Sequence, residues 1–288
     1  MKKLLLLLAL STVLLFTLNS CEEENLISGA STNTGNTTNN PTTGTNTGST
    51  TTKCYVKEVI EMEDGETYKN KLAYNTKNLL TTSDQDGALS TYEYDANNRV
   101  TKLTQVDGQG VETYLYAYDS KGNMTNIKYS ANNTAITLFI TEYKLTTNSS
   151  GQVSQITAVS EDGNIDFTIE YEKNNIKRLI ASADGQKATL IENVTFDTKT
   201  NVFANAGLVK ANIPFIIIGA IFGENLTKFV NTNNVLTDKL IGIFSTEPVT
   251  TTYKYEYNKD NLPSKMTYLQ IDGKDKYEGS ATYTYDCK

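Results

Sequence analysis

From Cys54 onward the chain is built of short segments in which apolar or aromatic positions alternate with polar ones, as in Tyr92-Glu93-Tyr94 and Tyr116-Ala117-Tyr118. A period of two is the mark of a β-strand with one buried face. Two kinds of punctuation recur. One is a tight Asp-Gly pair, at Asp64-Gly65, Asp86-Gly87, Asp107-Gly108, Asp162-Gly163, Asp184-Gly185 and Asp272-Gly273. Asp-Gly accepts positive φ and suits a type I′ hairpin turn. The other is an aromatic strand running into a polar turn, at Tyr92-Glu93-Tyr94-Asp95, Tyr116-Ala117-Tyr118-Asp119, Tyr255-Glu256-Tyr257-Asn258 and Tyr283-Thr284-Tyr285-Asp286, with a weaker copy at Tyr171-Glu172-Lys173-Asn174. Where the first kind is regular it returns about every 22 residues, which is one hairpin of strands about eight or nine residues long. Strands joined by tight turns pair antiparallel with their neighbours. The pattern therefore predicts an all-β fold, a long up-and-down meander of roughly fourteen to sixteen strands, more than an open sheet holds without curling. We expect a barrel-like or half-barrel sheet.

One stretch breaks the rhythm. Between Asp197 and Pro248 the turn signals stop, and Ile213-Pro214-Phe215-Ile216-Ile217-Ile218-Gly219-Ala220-Ile221-Phe222 is strongly apolar. At about ten residues it is half the length of a membrane helix. It reads as a short helix or buried loop over about 204–222, with Pro214 in or just before the first turn. Phe-Ile-Ile-Ile is also β-prone, so one more buried strand competes. Either way it would fill the concave side of the curled sheet. Leu226-Thr227-Lys228-Phe229-Val230 reads as a return to strand. A membrane barrel needs one lipid-facing side free of charge. Lys57 and Glu58 fall on opposite faces of one strand, and Lys102 shares a face with Val100 and Val106. The meander is thus expected to stand in water.

The start of the chain has a different grammar. Lys2 and Lys3 precede an apolar run from Leu4 to Phe16, which closes on Leu18-Asn19-Ser20-Cys21. This is the build of a signal peptide, and its end resembles the lipobox of bacterial lipoproteins. That resemblance implies removal of residues 1–20 and acylation of Cys21; an ordinary signal peptide with a stray Cys is the alternative. Glu22-Glu23-Glu24 resembles the surface-export signal of Bacteroidetes-type lipoproteins, and is equally a solvated charge run. Residues 28–52 are almost entirely Thr, Asn, Gly and Ser. They lack the apolar groups that would offset the entropy of ordering. Residues 21–53 thus read as a flexible tether, and 54–288 as the folded domain. A chain of about 25 such residues spans roughly 25–30 Å.

Composition narrows the chemistry. The net charge is −7 for the whole chain, and −9 without Lys2 and Lys3. That balance argues against nucleic acid and against peripheral binding to anionic lipid. The chain has no His, so Ser-His-Asp and Cys-His mechanisms are excluded in their usual form. Besides Cys21 there are Cys54 and Cys287, which bracket the folded part. An even pair in an oxidising compartment reads as a disulfide, with two free thiols as the alternative.

The Tyr-x-Tyr-Asp copies, followed by turns such as Asn98-Arg99-Val100 and Gly122-Asn123-Met124, resemble the YD repeats of RHS-type proteins. The layout as a whole resembles a group of Bacteroidetes-type outer-membrane lipoproteins of unknown function described as porin-like. Asn225-Leu226-Thr227-Lys228-Phe229, Tyr255-Glu256-Tyr257-Asn258 and Leu262-Pro263-Ser264-Lys265-Met266 carry that likeness. It implies a curved, barrel-like soluble sheet at the outer membrane, and brings no catalytic residues.

Candidate sites are few. Tyr92, Tyr94, Tyr116, Tyr118, Tyr255 and Tyr257 could line a groove that stacks on sugar rings; recurring at the repeat period, they are also what cross-strand packing needs. Asp84-x-Asp86-Gly87 and Asp272-Gly273-x-Asp275 are fragments of calcium loops without the later bidentate Glu, and hairpin turn chemistry explains both. No Asp/Glu pair is marked out as glycosidic. The sequence thus points to a lipid-anchored protein of the outer membrane, at the cell surface, that acts as a binding or interaction module for a glycan or another envelope protein. A structural component without a ligand and a carboxylate-dependent hydrolase are the alternatives. No metal, cofactor or nucleic acid is expected.

Overall fold

The structure, a computed structural model, describes residues 53–108, 110–132, 140–183, 185–203, 211–241 and 247–287. Cys21, the acidic run and the polar tether lie outside the described residues, as does the first part of the apolar insert, 204–210. The strands in order are β1 (Cys54–Glu63), β2 (Glu66–Tyr74), β3 (Leu80–Gln85), β4 (Ala88–Tyr94), β5 (Val100–Val106), β6 (Val111–Tyr118), β7 (Met124–Ala131) and β8 (Ile140–Thr147). They continue as β9 (Val153–Ser160), β10 (Ile165–Glu172), β11 (Asn175–Ala183) and β12 (Gln186–Thr200). Helix α1 (Ile213–Phe222) and a 3-10 turn (Leu226–Phe229) follow, then β13 (Asn233–Leu240), β14 (Val249–Tyr257), β15 (Pro263–Asp272) and β16 (Asp275–Cys287). Each strand pairs antiparallel with its sequence neighbours and β16 returns to β1, so 16 strands close a complete barrel. The seam runs from Cys54 opposite Cys287 to Glu63 opposite Gly279, and the two cysteines are joined as a disulfide.

The two kinds of punctuation build the two rims. At one rim Asp64 (φ 49°) and Gly65 (φ 81°) are both left-handed, as are Asp86 (φ 49°) and Gly87 (φ 94°). That is the type I′ geometry, whose twist matches the strands it joins. The other copies depart from the expectation. Val106 opposes Val111, so Asp107-Gly108 opens a four-residue connection, and Asp162 is not left-handed beside Gly163 (φ 123°). Asp184 lies outside the described residues. Asp272 ends β15 opposite Asp275, so Gly273-Lys274 forms the centre of that turn.

At the other rim a single hydrogen-bond pattern repeats. Asp119 Oδ1 accepts from the backbone N–H of Lys121 (2.9 Å) and of Asn123 (2.8 Å). Its own N–H donates to the Asn123 carbonyl, and the Gly122 N–H donates back to the Asp119 carbonyl. Asn75, Asp95, Asn148 and Asn258 make the same four bonds in their turns. The Asn123 side-chain amide, donating to Asp119 Oδ2 (3.0 Å), and then the backbone N–H groups of Asn123 and Lys121 hold the Asp119 carboxyl below the usual range. The fourth residue of each turn has positive φ, which is why Asn or Gly stands there (Asn78, Asn98, Gly122, Gly151, Asn261).

Just before each of these turns the ladder slips by one residue, so that Tyr94 opposes Val100 and Tyr118 opposes Met124. The slip turns both the tyrosine and the apolar residue inward. It leaves a carbonyl for the next strand's second residue, whose hydroxyl takes it: Thr101 bonds Glu93 O (3.3 Å) and Thr81 bonds Ala73 O (3.0 Å). The tyrosine hydroxyl reaches back to a carbonyl near the start of the preceding strand, that of its first residue in β3, β5 and β9 and of its third in β1. Tyr74 thus bonds Val56 O (2.9 Å), Tyr94 bonds Leu80 O (2.6 Å), Tyr118 bonds Val100 O (2.7 Å) and Tyr171 bonds Val153 O (2.8 Å). Each tyrosine so closes the open end of the hairpin that an Asp-Gly turn begins. Removing one Asx acceptor strands two N–H groups in a part-buried turn. We therefore expect Asn148→Ala to lower the unfolding free energy by about 1–2 kcal/mol, read by urea titration.

The wall is apolar inside and polar outside. Leu103, Ile127, Tyr143, Phe167 and Leu179 on the inner face are completely buried. The outer face carries cross-strand ion pairs such as Lys102–Glu93 (2.9 Å) and Arg178–Glu192 (3.1 Å), and a row of directly opposed Thr82, Thr91, Thr104, Thr113 and Ser130. Exposed Leu115 lies between Lys102 and Lys128. Among the described residues no continuous apolar band of the kind a lipid-facing barrel needs is present.

Sixteen strands enclose more room than wall side chains alone can fill, and the insert between β12 and β13 takes it up. Helix α1 buries Ile213, Ile216, Ile217 and Ala220 along one side, with Pro214 and Gly219 buried beside them. A helix apolar all round suits complete enclosure. Pro214 stands in its first turn, and Gly223 ends it in the left-handed conformation, with the Glu224 N–H donating to the Gly219 carbonyl. A Cβ on Gly219 would lie 2.9 Å from Leu226 Cγ, so glycine permits the close return of the chain. Leu226–Phe229 is a 3-10 turn, not the strand its apolar pattern predicted. The Asn225 side chain accepts from the Thr227 N–H and starts that turn.

Candidate functional site

All six tyrosines proposed for sugar stacking point into the barrel. Tyr92 and Tyr94 share the inner face of β4, and burial pushes the Tyr92 hydroxyl above its ordinary range. Tyr116 is buried and donates to the Ala211 carbonyl at the start of the plug (3.0 Å). Tyr94 and Tyr118 hold the rim carbonyls described above, and the Arg99 guanidinium lies 4.4 Å from the Tyr118 ring centre. The rings of Tyr255 and Tyr257 stack at 6.2 Å, and the Tyr257 hydroxyl donates to Asp197. The six thus fall into two groups, Tyr92, Tyr94, Tyr116 and Tyr118 on β4 and β6 and the stacked Tyr255 and Tyr257 on β14; the hydroxyls of Tyr94 and Tyr118 are bound at a rim, that of Tyr116 at the plug and that of Tyr257 at Asp197.

The carboxylates of the first calcium-loop fragment accept from backbone N–H groups, and Asp272 and Asp275 of the second oppose each other at the ends of β15 and β16. Asp84 accepts from the Gly87 N–H (3.0 Å) and Asp86 from the Lys69 N–H (3.0 Å). Among the described residues no group of three or more Cys, Asp or Glu is placed to hold a metal ion. A void lined by Val202, Phe203, Phe229, Tyr255, Met266 and Tyr283 measures about 10 Å³, room for one water.

The densest buried polar assembly was not foreseen. Asn193 on β12, Asn225 and Thr227 on the plug, Asp238 on β13 and Tyr253 on β14 meet inside the barrel, all of them buried. Asn225 Nδ2 donates to Asn193 Oδ1 (3.0 Å) and to Asp238 Oδ2 (2.7 Å). Tyr253 donates to the same Asp238 oxygen (2.9 Å). Asn193 Nδ2 donates to the Ile176 carbonyl (2.7 Å) and to Thr227 Oγ1 (2.8 Å), and the Thr227 hydroxyl donates to Asn225 Oδ1 (2.5 Å). Burial raises the Asp238 carboxyl above the ordinary aspartate range, against the lowering effect of its bonds to Asn225 and Tyr253. The sequence signal was faint: one acid in Val235-Leu236-Thr237-Asp238-Lys239-Leu240, where the alternation calls for an apolar inner residue. A second inward acid, Glu112, accepts from Tyr129 (3.0 Å) and Tyr114 (3.3 Å), and burial raises it as well. These groups bind plug to wall; they present no activated nucleophile.

Residues 74–110 match the family model of the RHS Repeat. The matched segment begins at Tyr74, whose turn is the first Asx turn of the wall, and takes in the whole Tyr92–Asp95 copy with its turn. A search of curated proteins finds no match. Among solved structures the chain is similar to a porin-like protein from Bacteroides uniformis ATCC 8492, at 16% identity and TM-score 0.47, over 80% of this chain and 98% of that one. It is similar to a porin-like protein from Bacteroides vulgatus ATCC 8482 at 11% identity and TM-score 0.39, over 81% and 99% of the two chains. A TcdB2-TccC3-TEV structure is similar at 14% identity and TM-score 0.32, over 76% of this chain but 12% of that one. The chain is thus similar to an RHS repeat over 74–110 and, in its barrel, to these porin-like proteins.

Proposed function

We propose that the protein is a cell-envelope lipoprotein, anchored in the outer membrane through Cys21, that displays its barrel at the cell surface as an interaction module for a glycan or another envelope protein. The observation that carries this reading is the polarity of the wall: charged and threonine-rich outside, filled inside, and therefore a body that meets its surroundings through its outer surface and rims. Cys54 opens β1 at the rim of the Asx turns. A structural envelope component without a ligand is the second reading, favoured by the filled interior.

Labelling of cells with radioactive palmitate tests the anchor. Label is expected on the natural chain and absent from Cys21→Ala; equal labelling of both would end the lipoprotein reading. Protease treatment of intact cells tests display, and titration of residues 54–288 against envelope polysaccharides and outer-membrane extract tests binding. Binding to neither would leave the structural component as the better account.

A further inference from the structure

One carboxyl ties the plug to two strands of the wall. Both hydrogen bonds to Asp238, from Asn225 of the plug and Tyr253 of β14, end on Oδ2. Oδ1 is buried and makes no hydrogen bond of good geometry; the donor on hand is the Thr251 hydroxyl, also buried and directly opposite in the β13–β14 ladder, which favours the ionised form but is outweighed by burial. An ionised carboxylate wants donors on both oxygens, whereas a neutral one needs them only on its carbonyl oxygen. The donor set therefore suits a neutral acid with its carbonyl at Oδ2 and its proton on Oδ1, beside the Thr251 hydroxyl. Leaving a full negative charge here would place it in a site 0% exposed with one oxygen poorly served.

We propose that Asp238 is a proton-operated latch: protonated while the plug is seated, it holds plug and wall together, and its ionisation lets the plug segment loosen from β13 and β14. The groups that face it are Asn225, Thr227 and Lys228 of the plug, Asn193 of β12, and Thr251, Tyr253 and Tyr255 of β14. Lys228 is the charged one among them and favours the ionised form, but burial outweighs it. The sign follows. The seated state binds the proton more tightly than the loosened, hydrated state, whose carboxyl is an ordinary aspartate. Seating is therefore strongest at and below the ordinary aspartate range, and weakens as pH rises through the raised pKa of the seated form.

Native-state amide exchange of residues 211–231, corrected for intrinsic exchange and followed from pH 4 to 8, tests the latch. In the natural chain the opening constant of the plug should rise with pH, by at most about tenfold per unit for one proton, while β3 to β6 show no such rise. Asp238→Asn keeps the acceptor at Oδ2 and cannot ionise, so its plug should exchange with a flat profile. Tyr253→Phe removes a donor that favours the charged form, so its rise should begin at the same pH, which the loosened state sets, and continue to higher pH before it levels. Burial raises Glu112 and Glu224 as well, so Glu112→Gln and Glu224→Gln separate their share: each should keep most of the natural rise, which Asp238→Asn should lose. A flat profile in the natural chain overturns the proposal, and so does an Asp238→Asn profile with the natural slope.

Discussion

Ile217→Asp is expected to cost the barrel about 5 kcal/mol or more, enough to leave much of the chain unfolded at neutral pH. Ile217 is 0% exposed in the middle of α1. The substitution removes a buried aliphatic side chain, worth about 2–5 kcal/mol with its cavity, and sets an unpaired charge among isoleucines. No partner is at hand to repair it, since the polar network lies around Asn225 and Asp238 and not along the helix. Ile217→Val, by contrast, should cost only about 0.5–1.5 kcal/mol. The chain has no Trp, so urea titrations would be followed by tyrosine fluorescence and far-ultraviolet circular dichroism. Equal midpoints for Ile217→Asp and the natural chain would mean that α1 is a passenger rather than the core of the barrel.

Loss of the seam disulfide should be the next largest effect. Cys54 and Cys287 are separated by 233 residues. Tying so long a loop restricts the unfolded chain, and the loop-entropy account gives about 5 kcal/mol as its upper limit. The double variant Cys54→Ser with Cys287→Ser is therefore expected to lose about 2–5 kcal/mol. Its fold should survive, because the β1–β16 ladder continues from Tyr55 opposite Asp286 to Glu63 opposite Gly279 without the bond. Reductant should lower the urea midpoint of the natural chain and leave the double variant unchanged. A natural chain insensitive to reductant would mean that the cysteines are not joined in solution.

How much of this was written in the sequence depends on the range of the interaction. Hairpin turns are decided by adjacent residues, so Asp64-Gly65 and Asp86-Gly87 were readable as they stand. The period of the Tyr-Asp copies announced the meander, and the length of the apolar run announced something too short to span a bilayer and fit to fill a hollow. Closure was left open, because it depends on the pairing of β1 with β16 across the whole chain. The destinations of the tyrosine hydroxyls were hidden for a related reason. Spacing shows that Tyr118 faces inward, but its bond to Val100 depends on the slip in register just before the turn. Leu226–Phe229 was misread because its apolar pattern fits a strand, while the deciding group is the neighbouring Asn225. The latch was beyond reach: Asn225 is 32 residues from Asn193 and 13 from Asp238, and nothing local in the chain marks them as neighbours.

The closed ring also dictates an order of events in folding. Every pairing in the wall joins strands adjacent in sequence, except the seam. Nearest-neighbour hairpins form quickly because little chain entropy is lost in bringing their strands together, whereas joining the two ends of the chain is the costliest closure of all. The last step is therefore the meeting of β1 and β16, and the plug must already be threaded when it happens. Until then the molecule is an unrolled ribbon with two bare edges and a wet tyrosine face, the form in which neighbouring chains join edge to edge. Refolding yield should accordingly fall with protein concentration, while the finished ring, having no edge to offer, stays monodisperse at the same concentration.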